Sequence, residues 1–509
     1  MMTHSDWKIN LRDTVLIAIL LTAMFSIFLI NPETIPAGDG FGFDGVVYAQ
    51  MVSEIETRVS EGELSKYYAQ RIAPSLIVRT ALTTFNIPLG PDNIIAGFRV
   101  LNALLMVVGV GFWMLIARYI RLTSEGFWIG IAGLVLIFPN AKQLLYYPVL
   151  TDTFAFTIGL VIVWAHLTCR TVLVAVVAIV GAFAWQMAGI VGMALVASTL
   201  VSGGTPQRAQ VDLWGNRLII AILAVSAFVA LAIGLPYVLG HDLHQLIFDQ
   251  RFYKDPFLSL LTNIPTLALS SCFVSYLLVS AIATHWQYLI NRRKVATVTI
   301  LVIAIALIPS VIVSMIANPD IPAPGIAGYV EILEALLVVR VREGMVFLPI
   351  VSHAVYYGPV FLILLLLWRR VAHSTVEFGA GFLFVVAIFS ILSVFSESRF
   401  TFMLWPFIVT IVCKVVSEAS LPRVTQICVA ISAVGFSKVW LTMNQGPWPK
   451  PDLVALFEWP KSVYFSSLGP WMSVGNYIVQ GTIVALLIVL LYATMNQENT
   501  PCSMSSREN

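Results

Sequence analysis

The sequence is poor in charge and lacks the motifs of several common enzyme classes. Only 11% of its 509 residues are charged, and the formal net charge is +2. This near-neutral balance does not favour a nucleic-acid partner, and none is expected. The sequence has no Walker A motif, no H-E-x-x-H motif and no G-x-S-x-G motif. ATP hydrolysis, zinc proteolysis and serine hydrolysis therefore have no support.

Cysteines are few and have no C-x-x-C spacing. The five are Cys169, Cys272, Cys413, Cys428 and Cys502. This pattern predicts neither a disulfide framework nor a zinc site. No Asp/Glu/His relay is evident within the apolar runs, which argues against a proton-coupled pump. The absence of a convincing internal repeat weakens the case for a transporter built from duplicated halves.

Apolar segments fill most of the chain. Hydrophobic residues make up 59% of the sequence and the mean hydropathy is +0.88. Runs of about 20 apolar residues recur from end to end, which predicts an all-α, polytopic transmembrane bundle of about 12–14 spans with outer loops and interfacial helices. We expect one integral-membrane domain over 1–495 and a polar cytoplasmic tail over 496–509. The first span, preceded by Lys8 and Arg12, is predicted to be an uncleaved signal anchor.

The predicted spans are those in which the apolar runs are long enough to cross or enter a bilayer. They cover roughly 11–30, 94–117, 126–139, 150–168, 171–186, 187–201, 217–239, 266–288, 295–316, 346–368, 376–395, 401–418, 424–443 and 477–495.

The stretch 171–201 decides the topology. It is too long for one ordinary span and short for two, and Trp185-Gln186 offers a polar break in its middle. If it forms two short helices, most basic connecting segments fall on one side, which the positive-inside rule makes cytoplasmic. Both termini are then cytoplasmic. The substantial loops then lie outside, at about 31–93, 240–265, 317–345 and 444–476. We expect a bacterial-type inner-membrane or plasma-membrane protein whose functional residues are on this outer side.

The first outer loop holds two carboxylates in a glycine-rich setting. Asp39 and Asp44 lie in the segment Gly38–Tyr48, directly after the first span. Charge this close to a bilayer is costly and is often functional, so either residue is a candidate general base. A solvated acidic turn is the plainer alternative, and Asp44 is also placed to cap a helix that begins near Val46.

Basic side chains in the outer segments are candidates for binding an anion. Arg71 follows Tyr67-Tyr68 in a stretch that predicts an interfacial helix, and it suits either a phosphate or a snorkelling anchor. Lys142 is a second phosphate candidate, and Arg251 a third. Asp152 begins a predicted helix, where capping is the expected role and a second active-site carboxylate the alternative.

A short outer turn joins two apolar spans near residue 397. Glu397 and Arg399 are separated by a single serine. One interpretation is that the two side chains neutralise each other. The other is that the planar guanidinium of Arg399 binds a lipid-linked phosphate while Glu397 orients it. No convincing metal-ligand set is visible, although paired carboxylates leave a divalent cation open as a cofactor.

Together these features resemble the GT-C superfamily of integral-membrane glycosyltransferases. The matching residues are Asp39, Asp44 and Tyr48 in the first outer loop, Arg71 beyond it, the paired helices at 171–201, and Glu397, Arg399 and Phe400 with Pro406 downstream. The resemblance implies sugar transfer from a polyprenyl-phosphate donor. It maps the family's catalytic acid onto Asp44, or onto Asp39 in another loop register.

The chain departs from the family pattern at two places. The first outer loop lacks the Asp-Glu pair of several branches, and the turn at Glu397 lacks the His-Lys that precedes it in the eukaryotic mannosyltransferases. We expect a hexosyltransferase that moves a single sugar to an extracytoplasmic glycan, lipid or protein. The alternatives are a transporter or flippase of lipid-linked saccharides, or a non-catalytic cell-envelope polysaccharide assembly protein.

Overall fold

The computed structural model describes residues 10–202, 256–283, 289–290, 294–321, 345–445 and 467–496. These residues are almost entirely helical, as expected from the apolar runs. Their only β-structure is a two-residue antiparallel ladder between β1 (Val201–Ser202) and β2 (Leu289–Ile290). The first half of the chain contains α1 (Leu11–Ile30), α2 (Gly45–Ser53), α3 (Ile55–Ser60), α4 (Lys66–Ala69), α5 (Ala73–Thr84), α6 (Pro91–Tyr119), α7 (Ser124–Leu134), α8 (Leu144–Tyr146), α9 (Asp152–Leu167), α10 (Thr171–Ala182) and α11 (Met187–Ser198).

The helices after β1 follow the same numbering. They are α12 (Pro256–Ala283), α13 (Val295–Ile316), α14 (Leu348–Tyr357), α15 (Pro359–Leu366), α16 (Trp368–Glu377), α17 (Ala380–Leu392), α18 (Trp405–Ala419), α19 (Arg423–Ser437) and α20 (Val474–Asn496). A π-helical turn, Pro139–Gln143, precedes α8, and a 3₁₀ turn, Ser398–Leu404, leads into α18.

Several helices are long and apolar enough to cross a membrane. Six in the described residues meet this condition, or up to eight if each of two bent helix pairs forms one span. The expected number of about 12–14 is not reached there, because many apolar runs form short or broken helices. The predicted span at 217–239 lies outside the described residues. A membrane protein with several spanning helices is therefore supported, at a coarser level than the sequence predicted.

The predicted span 346–368 is wrong as a continuous helix. Gly358, with φ +71°, separates α14 from α15. The chain then bends by 87° between α15 and α16. Hydropathy averages over such breaks, since a glycine in the left-handed region interrupts the helix without changing the local polarity.

The stretch 171–201 does form two short helices, as predicted. α10 and α11 each have 12 residues and are separated by the turn at Phe183–Gln186. Twelve residues span about 18 Å, which is well short of the ~30 Å hydrocarbon core. The pair therefore turns back within the bundle and brings Trp185 to the end where the first loop lies.

The first loop is folded rather than extended, but its predicted interfacial helix is not continuous. α4 ends at Ala69 and α5 begins at Ala73, so Arg71 lies in the turn between them. The Ser75 hydroxyl donates to the Tyr48 carbonyl at 3.0 Å and ties α5 to α2. Ala73 N–H donates to the carbonyl of Phe183 at 2.9 Å, which connects the loop to the α10–α11 turn.

The segment Ser398–Ala419 forms the centre of the bundle. Its apolar window is 89% buried, against 39% or less for the other single-helix spans. Gly159 on α9 lies against the Met403 carbonyl, where a Cβ would come within 2.4 Å of that oxygen. Trp405 Nε1–H donates to the Gly133 carbonyl at 2.6 Å. These contacts hold the turn that begins at Ser398 against α7 and α9.

Candidate functional site

An ion pair joins the central 3₁₀ turn to the start of α9. Arg399 donates from Nε to Asp152 Oδ1 and from Nη2 to Asp152 Oδ2, both at 3.1 Å. The side chains are only 15% and 5% exposed. Asp152 is thus engaged with Arg399, and no side-chain cap is present at the start of α9. The two parallel bonds have the geometry that favours a planar guanidinium over an ammonium.

Glu397, the expected partner of Arg399, is half-buried just before the 3₁₀ turn and does not cap it. The sequence motif points only to a neighbouring acidic partner, because adjacency is all that a linear motif records. The structure shows that Asp152, from another helix, pairs with Arg399.

Polar side chains on α14 hold the backbone around Arg399. The Tyr357 hydroxyl donates to the Ser398 carbonyl at 2.7 Å and lies 2.8 Å from the Thr401 hydroxyl. Ser352 Oγ donates to the Ser396 carbonyl at 2.5 Å. His353 is buried and bonds on both ring nitrogens. The turn that carries Arg399 is therefore fixed on both sides of that residue.

The hydrogen-bond partners of His353 assign its tautomer. Nε2 lies 2.9 Å from the Ser393 carbonyl, which can only accept, so Nε2 carries a hydrogen. In the neutral ring, Nδ1 then accepts from the Ser398 hydroxyl at 2.8 Å. Ser398 is thus held through its hydroxyl by His353 and through its carbonyl by Tyr357. A lone histidine in an apolar run carried no sequence signal for this role.

Arg71 occupies an aromatic box in the first loop. Its Nη1 donates to the hydroxyls of Tyr48 at 3.2 Å and Tyr67 at 2.6 Å. The guanidinium carbon lies 4.1 Å from the Tyr67 ring centroid and 4.7 Å from that of Trp185. The residue is 8% exposed, and its buried Nε has no hydrogen-bond partner in the described residues. This buried contact set does not match a snorkelling anchor, whose charged group reaches water.

The loop that carries Asp44 is packed against Tyr147. The Tyr147 hydroxyl accepts from the backbone N–H groups of Phe43 at 2.7 Å and Gly45 at 3.3 Å. Gly42 has φ +74°, and a Cβ there would come within 2.2 Å of the ring. Tyr147 thus fixes the backbone on either side of Asp44. Asp44 is half-exposed, and its carboxylate does not cap α2.

Asp44, Arg71 and Arg399 form one electrostatic cluster, defined by their shared effect on the Tyr48 phenol. The charges of Asp44 and Arg399 both act on the phenols of Tyr48, Tyr67 and Tyr147. Burial raises the pKa of Tyr48 above its usual value, although the nearby Arg71 guanidinium opposes this shift. The first-loop phenols therefore remain protonated donors at neutral pH.

Burial also raises the pKa of Tyr68, to about 12, with the Asp44 carboxylate contributing. The Tyr68 ring packs edge-on against both Tyr48 and Tyr67. The Asp44 charge therefore acts on Tyr48, Tyr67 and Tyr68, and two of these phenols accept hydrogen bonds from Arg71.

The other predicted site residues lie elsewhere. Asp39 is exposed and has φ +53°. Lys142 pairs with Glu33 at 2.9 Å, and both side chains are buried. Arg251 lies outside the described residues. The charges of Asp44, Arg71 and Arg399 all act on the Tyr48 phenol, whereas Lys142 belongs to a separate contact with Glu33.

Lys142 and Glu33 form part of a clasp between two outer segments. The Glu33 carboxylate also accepts from the backbone N–H groups of Met443 and Asn444, at 2.9 to 3.0 Å. The Asn444 side chain in turn accepts from the Tyr146 hydroxyl at 2.8 Å. The segment that follows α19 is therefore bound to the start of the first loop.

Within the described part of the chain, no group of three or more His, Cys, Asp or Glu side chains converges as a metal site would require. The sequence matches no family model and no curated protein, and the fold matches no solved structure. Function is therefore inferred from the chemistry of the cluster at Asp44, Arg71 and Arg399.

Proposed function

We propose that this chain is a membrane glycosyltransferase. It would move a sugar from a polyprenyl-phosphate donor to the hydroxyl of an extracytoplasmic glycan, lipid or protein. The observation that carries the proposal is that one half-exposed carboxylate, Asp44, and two largely buried guanidinium groups, Arg71 and Arg399, all act electrostatically on the same buried phenol, Tyr48.

Asp44 is the base of this reaction. Its carboxylate would take the proton of the acceptor hydroxyl while the acceptor oxygen bonds to the anomeric carbon of the sugar. The bond between that carbon and the phosphate oxygen breaks, and its electron pair leaves with the phosphate. Because the lipid phosphate is already a stable anion, the step needs no general acid. A partly exposed carboxylate suits a base that must reach an incoming hydroxyl.

The two guanidinium groups receive the phosphate. Arg399 is already balanced by Asp152, whereas within the described residues the side-chain hydrogen bonds of Arg71 go to neutral phenols. Arg71 therefore retains an unbalanced positive charge in a buried setting, which favours an anionic ligand. The charge that develops on the leaving phosphate would be stabilised by groups already in place, so little reorganisation is needed.

Sugar transfer in membranes that contain the protein tests the proposal. A panel of radiolabelled polyprenyl-phosphate sugars is offered to wild type, Asp44→Ala and Asp39→Ala at matched expression. Transfer from one donor should fall about a hundredfold or more in Asp44→Ala, since positioned bases contribute 10²–10⁴. Asp39→Ala, which removes an exposed carboxylate outside the cluster, is the matched control and should remain active.

Two results would overturn the assignment. One is full activity in both aspartate variants. The other is a lack of transfer from every donor, combined with normal complementation of cells that lack the protein by the Asp39→Ala/Asp44→Ala double variant. That result would favour a flippase or assembly role. Repeating the assay with a chelator tests for a divalent cation.

Arg71→Lys keeps the charge but loses the planar fork, so it should raise the KM for the donor. Arg79→Lys, outside the cluster, should leave the KM unchanged.

A further inference from the structure

A groove of about 570 Å³ runs between α7 and α19, away from the cluster described above. Its apolar walls are formed by Trp128, Ile129 and Ala132 on α7 and by Ile427 and Ala430 on α19. The volume lies in the range of small-molecule sites, which is about 300–1,000 Å³. Ile427 and Ala430 are exposed, so the groove is open from the side.

The groove exists because α7 is held tightly on its other faces. Gly126 lies against Ser417 of α18, Gly130 against Trp113 of α6, and Gly133 against Val360 of α15. A Cβ at any of these glycines would come within 3 Å of the neighbouring side chain. Close approach on three sides fixes α7 in the bundle and leaves the side toward α19 unfilled.

The two ends of the groove differ in polarity. Ser124 and Glu125 lie in the first turn of α7, and Arg423 and Gln426 in the first turn of α19. Gln426 Nε2 donates to the Leu421 carbonyl at 2.9 Å, and a Glu125 oxygen accepts from Leu421 N–H at 2.6 Å. Glu125 is thus directed to the turn that precedes α19 by a backbone donor, while the Arg423 side chain is exposed at the mouth.

Both walls begin at this polar end. The N-terminus of a helix carries a partial positive charge, and here the N-termini of α7 and α19 lie at the same end of the groove as Arg423. The mouth therefore favours an anion, while the remaining walls favour hydrocarbon. The charge pattern predicted from the sequence places Arg423 on the cytoplasmic side.

The length of α7, which forms one wall of the groove, is close to the thickness of one leaflet of a bilayer. α7 has 11 residues and is therefore about 16 Å long. Half of the ~30 Å hydrocarbon core is about 15 Å. An acyl chain that begins at the polar mouth would extend along both walls and end near the middle of the membrane.

We propose that this groove binds one anionic glycerophospholipid of the inner leaflet, with its phosphate at Arg423 and an acyl chain between α7 and α19. The charge at the mouth, the apolar walls and the length select this occupant. The proposal does not depend on the glycosyltransferase assignment.

Native mass spectrometry of the detergent-purified full chain tests it. Phosphatidylglycerol and phosphatidylcholine are titrated separately onto wild type, Arg423→Gln, Ala430→Trp and Arg370→Gln. Arg423→Gln should weaken phosphatidylglycerol binding about fivefold, the effect of one basic residue near an anionic headgroup, and weaken phosphatidylcholine binding less, because that headgroup carries no net charge. Ala430→Trp fills the groove from an exposed position and should weaken binding of both lipids.

Arg370→Gln removes an exposed arginine outside the groove lining and should behave as wild type. Melting temperatures confirm that each variant is folded. The proposal is wrong if phosphatidylglycerol binds Arg423→Gln as tightly as wild type, or if Ala430→Trp leaves lipid binding intact. It is also wrong if Ala430→Trp instead dissociates a dimer, because the groove would then hold a second copy of the chain.

Discussion

Arg399 and Asp152 lie 247 positions apart in the chain and meet through two hydrogen bonds of 3.1 Å. Among the candidate spans of the described residues, Ser398–Ala419 is the most buried, and the pair joins its start to the first residue of α9. Each side chain is mostly removed from water. Removing one partner would leave the other as an uncompensated charge, which is far more costly than the loss of an exposed pair.

We therefore expect Asp152→Ala to lower the free energy of unfolding by about 3 kcal/mol or more. Thermal unfolding in detergent, followed by circular dichroism, measures the change. The matched control is Glu418→Ala, which breaks the exposed Lys414–Glu418 pair at 3.1 Å on α18. The control should change stability by less than about 1 kcal/mol. Equal effects in the two variants would contradict the inward placement of the Asp152–Arg399 pair.

Ser398→Ala should destabilise the turn that presents Arg399. The substitution leaves the buried His353 Nδ1 without its donor, at a cost of about 1–3 kcal/mol. Ser390→Ala is the control, because that buried hydroxyl donates only within its own helix, to the Val386 carbonyl at 2.7 Å. We expect the melting temperature to fall for Ser398→Ala and to stay unchanged for Ser390→Ala. The same fall in both would mean that the network around Ser398 adds nothing.

Gly42→Ala should disturb the loop that carries Asp44. Its φ of +74° disfavours an L side chain, and the added Cβ would come within 2.2 Å of the Tyr147 ring. We expect faster hydrogen exchange over 38–48 and reduced sugar transfer. Gly90→Ala, which meets no atom within 4 Å, should change neither quantity. Unchanged exchange in Gly42→Ala would show that Tyr147 does not hold the loop in this way.

The clasp at Glu33 should make stability depend on pH in the acid range. Burial by itself raises the pKa of Glu33, but the backbone N–H groups of Asn444 and Met443 and the Lys142 ammonium outweigh it, and the pKa lies below its ordinary 4.5. A carboxylate with a depressed pKa stabilises the fold above its unfolded pKa. This stabilisation is lost as the pH falls through the folded value.

Melting temperatures between about pH 7 and pH 3 measure this effect. The wild type should lose more stability on acidification than Glu33→Gln, which lacks the titrating group. Glu61→Gln removes an exposed carboxylate of the same loop region and should follow the wild-type curve. Parallel curves for wild type and Glu33→Gln would rule out the clasp as a source of pH dependence.

Sequence patterns predicted the features that depend on local composition. The all-helical class followed from the apolar runs, and the break between α10 and α11 from the polar Trp185-Gln186 pair. The roles predicted for Asp44 and Arg71 in the first loop stay predictions, although both charges act on the Tyr68 phenol. The partner of Arg399 and the contacts of His353 were missed, because both depend on which helices pack side by side.

The span count failed for a related reason. Hydropathy measures the polarity of a window, whereas Gly358 and the 87° bend before α16 change direction without changing polarity. Lys142 illustrates the same limit for charge. Its position in an outer segment suggested a phosphate ligand, but packing placed it beside Glu33.

The sequence by itself determined the helical class and the apolar segments that are long enough to cross a membrane, because apolar run length is a property of the linear chain. Only the tertiary structure decided that Arg399 pairs with Asp152, that Arg71 lies among Tyr48, Tyr67 and Trp185, and that Tyr147 holds the backbone around Asp44. Those contacts arise from close packing of distant helices, which selects partners by shape and distance rather than by order along the chain.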